Sequence, residues 1–206
     1  MVTRRQRTWI FVFAGISAIA GVAAVAFITW KTIESARRPA ASTDEDRKLV
    51  VTAKMLAKYG IAEPDPADER FSSTQAFDGS RTIEYSYDTR SSQRLYVLSN
   101  VQVFPQALTS IQLFHVQQVS LRGGMALTGK AETIPAEHLL TMGDAHWAAF
   151  IQPKDAPKPV GTIFLIRQGR VLHTIVIVGV LLNDPKEIEK LLSPLMAESK
   201  RRFLTR

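Results

Sequence analysis

Four histidines and the carboxylates near them are the residues whose types admit catalysis. Asp144 and His146 stand two apart, which places both side chains on one face if the segment is a strand. Such a pair can hold a metal ion, or set a carboxylate to orient a general base. The sequence supplies no third partner, since His115, His138 and His173 complete neither an H-x-x-x-H pair nor an HExxH motif. The simpler reading is a loop carboxylate beside a partly buried histidine. His173 shares a strand face with Val171 and Ile175, so burial predicts a neutral ring bonded to backbone or to a tyrosine. No serine lies in a G-x-S-x-G context, so a nucleophile elbow is excluded.

Three arginines are candidates for contact with an anion or a partner. Arg122 precedes Gly123-Gly124, a pair that could cradle an anion but that a helix stop explains equally well. A two-residue loop at Gln168-Gly169 would set Arg167 opposite Arg170, Leu165 opposite Leu172 and Phe164 opposite His173. Like charges directly opposed on paired strands repel. An acidic group of this chain or of a partner between Arg167 and Arg170 would relieve that repulsion. Splaying of both side chains into water is the more economical arrangement.

The elements that must position these residues follow from patterning. Ser42-x-x-Glu45 fits a capping box, and Leu49, Val50, Ala53, Leu56 and Ala57 continue on one helical face to a stop at Gly60. Residues 62–73 read as an acidic loop. Ile83, Tyr85 and Tyr87 alternate with polar residues, which predicts a strand near a sheet edge. Residues 95–104 form a second extended run, and Pro105 suits the start of a helix to about Leu121. A short strand falls near Leu127, and three more cover 146–152, 162–167 and 170–179. The last two are apolar on both faces, so both faces require cover. Asp184 as N-cap, Pro185 at N1 and Glu187 at N3 open a final helix that Pro194 is expected to kink or split.

The ending Gly161-Thr162-Ile163-Phe164, Gly169, Val176-Ile177-Val178-Gly179, Asp184-Pro185 and Leu191-Leu192 resembles the C-terminal half of PsbP-like domains, over residues 80–205. The resemblance implies an α/β/α sandwich with an antiparallel sheet and an extracytoplasmic accessory or assembly role. Such domains are usually soluble or lipid-anchored.

The start of the chain reads differently. From Trp9 to Trp30 the only polar side chains are Ser17 and Thr29, and no charge interrupts the run. As a helix it would rise roughly 32 Å, the thickness of a bilayer core. Trp9 and Trp30 bracket it, and Arg4, Arg5 and Arg7 precede it. Lys31-Thr32-Ile33-Glu34 is a poor cleavage site, so an uncleaved anchor is favoured over a signal peptide. The denser N-terminal arginines, against Glu34, Asp44, Glu45 and Asp46 beyond, orient the domain outside. Ala14/Ala18, Ser17/Gly21 and Ala20/Ala24 are small-residue pairs through which spans can dimerise, although an alanine-rich segment carries such pairs by chance.

Composition bounds the rest. The 206 residues are 46% hydrophobic and 22% charged, which excludes a disordered chain. There is no Cys, so disulfides and cysteine-ligated metals are excluded. The net charge of +7 comes partly from the three leading arginines and from Lys200-Arg201-Arg202, and no basic patch is interleaved with aromatics, so nucleic acid is not an expected partner. The expected class is α+β: an N-terminal transmembrane helix, then a mostly antiparallel sheet packed by helices, sandwich-like. Residues 1–8 form a basic tail, 9–30 the span, 31–43 a linker and 44–206 the extracytoplasmic domain. The leading functional expectation is a single-pass, non-catalytic accessory or assembly protein of a bacterial inner membrane, binding protein partners or a ligand without cofactor or metal. The alternatives are a membrane-anchored hydrolase or metal-dependent enzyme using Asp144 and His146, and an anchored cytoplasmic domain.

Overall fold

The structure, a computed structural model, describes residues 38–59, 64–89, 95–128 and 131–205. Eight strands form one sheet: β1 (Arg38–Pro39), β2 (Glu69–Gln75), β3 (Arg81–Asp88), β4 (Tyr96–Val103), β5 (Ala131–Pro135), β6 (Ala145–Pro153), β7 (Gly161–Gln168) and β8 (Val171–Val178). Their spatial order is β1-β2-β3-β4-β8-β7-β6-β5, and every pairing from β2 across to β5 is antiparallel. Two meanders, β2-β3-β4 and β5-β6-β7-β8, therefore meet where β4 pairs with β8. Between them the chain crosses from the sheet centre to its far edge through α3 (Ala107–Thr128). The other helices are α1 (Asp44–Arg47), α2 (Ala53–Leu56) and α4 (Pro185–Phe203).

Strand alternation sorts the core into two clusters. On the first face, Ile83, Tyr85, Val97, Val101, Phe164, Ile166 and Ile175 pack against Leu49, Leu56, Ile188, Leu192 and Leu195. Polar pins fix the α1–α2 segment there: Ser99 Oγ accepts the Val51 N–H, and the Tyr85 hydroxyl accepts the Ala53 N–H while donating to Glu69, all at 2.9 Å. Burial is the main force pushing the Tyr85 phenol well above its usual range. On the second face, Trp147, Ala149, Ile163, Leu165, Leu172 and Val176 pack with Phe104 and with Phe114 of α3.

The expected fold class is corrected. Eight strands carry the fold, and among the described residues only two helices are longer than four residues. Among the described residues no helix is long and apolar enough to cross a membrane. The expected transmembrane helix at 9–30, with Trp9, Trp30, Arg4, Arg5 and Arg7, lies outside the described residues, so the elements seen here give the membrane and single-pass assignments no support.

Local corrections have local causes. The capping box is Thr43 with Asp46, one residue beyond the expected pair, and the helix it opens ends at Arg47. Part of the expected acidic loop is β2, an edge-side strand whose sequence, Glu-Arg-Phe-Ser-Ser-Thr-Gln, has one large apolar residue to betray it. Helix α3 runs through Gly123-Gly124 rather than stopping there, and starts at Ala107 rather than Pro105. Helix α4 is unbroken at Pro194. Pro194 and Lys190 both face solvent, so water can take the carbonyl that proline leaves unpaired. The β7–β8 turn is Gly169-Arg170, not Gln168-Gly169. Gly169 has φ of +56°, a conformation glycine adopts without penalty, and this moves the pairing by two residues: Arg167 faces Leu172, Leu165 faces Thr174 and Phe164 faces Ile175.

Candidate functional site

Asp144 precedes β6, and its carboxylate is committed to the β7–β8 turn. Oδ2 accepts the Gly169 N–H at 2.6 Å and lies 3.3 Å from Arg167 Nη1. Arg167 also donates to the Gly169 carbonyl, which Ser110 Oγ of α3 reaches at 2.7 Å. The acidic group sought beside Arg167 is thus Asp144 itself. His146 is exposed on β6, paired across to Ile166, and shares no hydrogen bond with Asp144. Among the described residues no group of three His, Asp or Glu could hold a metal ion.

The other candidates separate. Arg122 lies on the exposed side of α3, 3.8 Å from Glu137 Oε1, with its guanidinium 5.3 Å from the centre of the buried Trp147 ring. Trp147 Nε1 is itself buried without a hydrogen-bond partner. His173 is buried between Ile166 of β7 and Val101 of β4, with Nε2 2.9 Å from Ser199 Oγ of α4. Desolvation lowers its pKa to about 4, so the ring is neutral as expected, but its partner is a serine rather than a tyrosine or backbone.

Sequence reasoning missed the most buried carboxylate. Asp46 has no exposed surface. As the third residue of α1 it closes the cap with Thr43, and it also takes Arg81 Nη2 at 2.7 Å and Arg202 Nη2 at 3.1 Å. The capping pattern was the only local signal, because its cationic partners are 35 and 156 residues away. Arg170 joins the same corner: its Nε donates to the Phe203 carbonyl at 3.2 Å. Thr43, Glu45, Arg170, Arg201, Arg202 and Phe203 line a cavity of about 640 Å³ there.

The second sheet face offers two further surfaces. Over β2–β4 it is open, and Asp68, Arg70, Glu84, Ser86, Asp88 and Tyr96 line a polar groove of about 410 Å³. Over β5–β8 it is covered by α3, whose inner side presents Ser110, Leu113, Phe114, Gln117 and Leu121. The outer side of the same helix exposes Leu108 (61%), Ile111 (39%), Val116 (52%) and Val119 (69%). Its apolar residues belong to two opposite stripes, so they follow helical spacing only in part.

No family model, no curated protein and no solved structure matches this chain, and none bears on the PsbP-like resemblance.

Proposed function

We propose that the domain is a non-catalytic accessory or assembly module that binds protein through the outer side of α3. The observation that carries this reading is the exposed apolar stripe on a helix with one formal charge. An outward helical face is ordinarily polar and charged, whereas the 22 residues of α3 include only Arg122. Leu108, Ile111, His115, Val119 and Arg122 lie at −7, −4, 0, +4 and +7 about His115. That spacing is self-complementary. Two α3 helices packed antiparallel about His115 set Ile111 of one against Val119 of the other, and Leu108 against the Arg122 stem. A second copy of this chain is therefore the occupant the pattern fits. The competing reading, catalysis by Asp144 and His146, lacks the contact it needs, since the Asp144 carboxylate serves Gly169 and Arg167.

Sedimentation of the full chain beside Val119→Asp tests the proposal. The expected result is a dimer that Val119→Asp dissociates while the chain stays folded, because the side chain is mostly exposed in the single chain. A chain that is monomeric at every concentration, or a dimer indifferent to the substitution, overturns it. The charge distribution flanking residues 9–30 supports an extracytoplasmic location for the domain. Protease protection in sealed vesicles tests that location, and digestion from the cytoplasmic side would reverse it.

A further inference from the structure

The corner where α1, the β7–β8 turn and the end of α4 meet carries more positive charge than its carboxylates balance. Arg81 and Arg202 share Asp46. Lys48 and Arg201 share Glu45, and Arg201 also pairs with Glu198. Arg170 pairs with no carboxylate among the described residues, its Nε being taken by the Phe203 carbonyl. Five cations thus stand against three carboxylates. The carbonyl end of α4 supplies only about half a negative charge, so an excess of more than one charge remains around the cavity.

Arg202 and the turn that carries Arg170 are held there by the fold, while Arg201 stands more exposed beside them. Asp46 clamps Arg202, and with it the end of α4, to the buried cap of α1. Leu204 packs on Gly169, where an added Cβ would meet its Cδ2 at 2.6 Å, so the turn carrying Arg170 is seated on the same end of α4. Arg202 gives Nη2 to Asp46 and leaves Nη1 buried without a partner. A guanidinium has five donors and no acceptor, and a buried donor left unpaired is costly.

We propose that this cavity binds a doubly charged phosphate group, with Arg170 as the principal contact and Arg201 and Arg202 beside it. A guanidinium fork matches phosphate oxygens two at a time. A dianion offsets the charge excess that the carboxylates leave. Thr43 Oγ1 accepts the Asp46 N–H, and its own proton stays available to a phosphate oxygen. At about 640 Å³ the space admits the phosphomonoester of a small metabolite or of a lipid headgroup. The site is independent of the α3 surface, since none of its lining residues belongs to that helix.

Full-length wild type, Arg170→Gln, Arg170→Lys and Arg201→Gln are titrated with pyrophosphate by calorimetry, with sodium chloride at matched ionic strength as the control. Sedimentation with vesicles of phosphatidic acid and phosphatidylcholine, against phosphatidylcholine alone, forms the second arm. Unliganded thermal midpoints confirm that each variant folds. Stoichiometric pyrophosphate binding that weakens about tenfold or more in Arg170→Gln and is partly kept in Arg170→Lys supports a soluble phosphate ligand. Vesicle binding that requires phosphatidic acid and falls in Arg170→Gln, without pyrophosphate binding, assigns the lipid headgroup. Titrations that chloride reproduces, or that do not distinguish the folded variants from wild type in either arm, overturn the proposal.

Discussion

The two faces of the sheet are closed by different means. The first is covered by α4 together with the α1–α2 segment, and its buried residues come from both meanders. The second is apolar over β5–β8, where α3 lies, and polar over β2–β4, where the groove of Glu84, Ser86 and Asp88 is open. One sheet therefore serves as core on one side and as half core, half surface on the other. The strands record the change: β7 and β8 are mainly apolar on both faces, whereas β3 keeps Ile83, Tyr85 and Tyr87 inward and Thr82, Glu84 and Ser86 on the second face.

Trp147→Ala is the strongest way to break the covered half. The ring is fully buried beneath α3 and its Nε1 makes no hydrogen bond, so its contribution is packing together with the cation-π contact from Arg122. Truncation is expected to cost about 3–5 kcal/mol in urea unfolding. On the open half, Ser86→Ala is expected to stay within about 0.5 kcal/mol of wild type. Equal effects at the two positions would show that the second face does not divide as described.

The covered half was also the more legible in sequence. Continuous apolar runs at 162–167 and 170–179 announced strands buried on both faces, and on the first face Asp184-Pro185 announced α4 because capping is a local interaction. The hairpin register was not legible, since it depends on which two residues take the turn, and one positive φ at Gly169 decides that. Strand β2 was hidden because an edge-side strand facing water on its outer side lacks an apolar pattern. The Asp46 corner was hidden for another reason. Its capping role is written within four residues, but the cations that make it a clamp come from β3 and from the last turn of α4.

Acid sharpens the contrast, because the first face carries a histidine buried neutral. The folded pKa of His173, lowered to about 4 by desolvation, lies below its ordinary value of 6.5. Between those values the unfolded chain holds a proton that the folded chain does not, so stability falls as pH drops from about 6.5 to about 4. The loss is of order 3 kcal/mol, at about 1.4 kcal/mol for each tenfold change in proton activity. Glu187 and Glu198 are held below their usual range, first of all by hydrogen bonds from Lys58 and Arg201, and their contributions fade in a separate window below about 4.5. His173→Gln keeps a polar partner for Ser199. It is expected to remove the slope above pH 4.5 while leaving the one below. Thermal midpoints across pH 4–7 read both slopes, and an unchanged upper slope would mean that His173 is protonated in the folded state.

The open half has a smaller signature, at Tyr96. Desolvation first, then the charges of Glu84 and Asp88, raise its phenol above the ordinary value of 10.0. Above pH 10 the unfolded chain therefore gives up this proton before the folded one, and stability falls as pH rises through that value toward the folded pKa. Glu84→Gln removes one of the two charges and keeps an oxygen for Asn100 Nδ2, which Glu84 accepts at 3.1 Å. The tyrosinate absorbance of Tyr96, isolated by difference against Tyr96→Phe, is expected to shift to slightly lower pH in this variant while remaining above 10.0, because burial is the larger cause and the substitution leaves it intact. A wild-type Tyr96 that already titrates at the ordinary value would mean that water reaches the phenol freely. The β2–β4 groove would then be plain surface, and the boundary between the two halves of the second face would lie nearer α3.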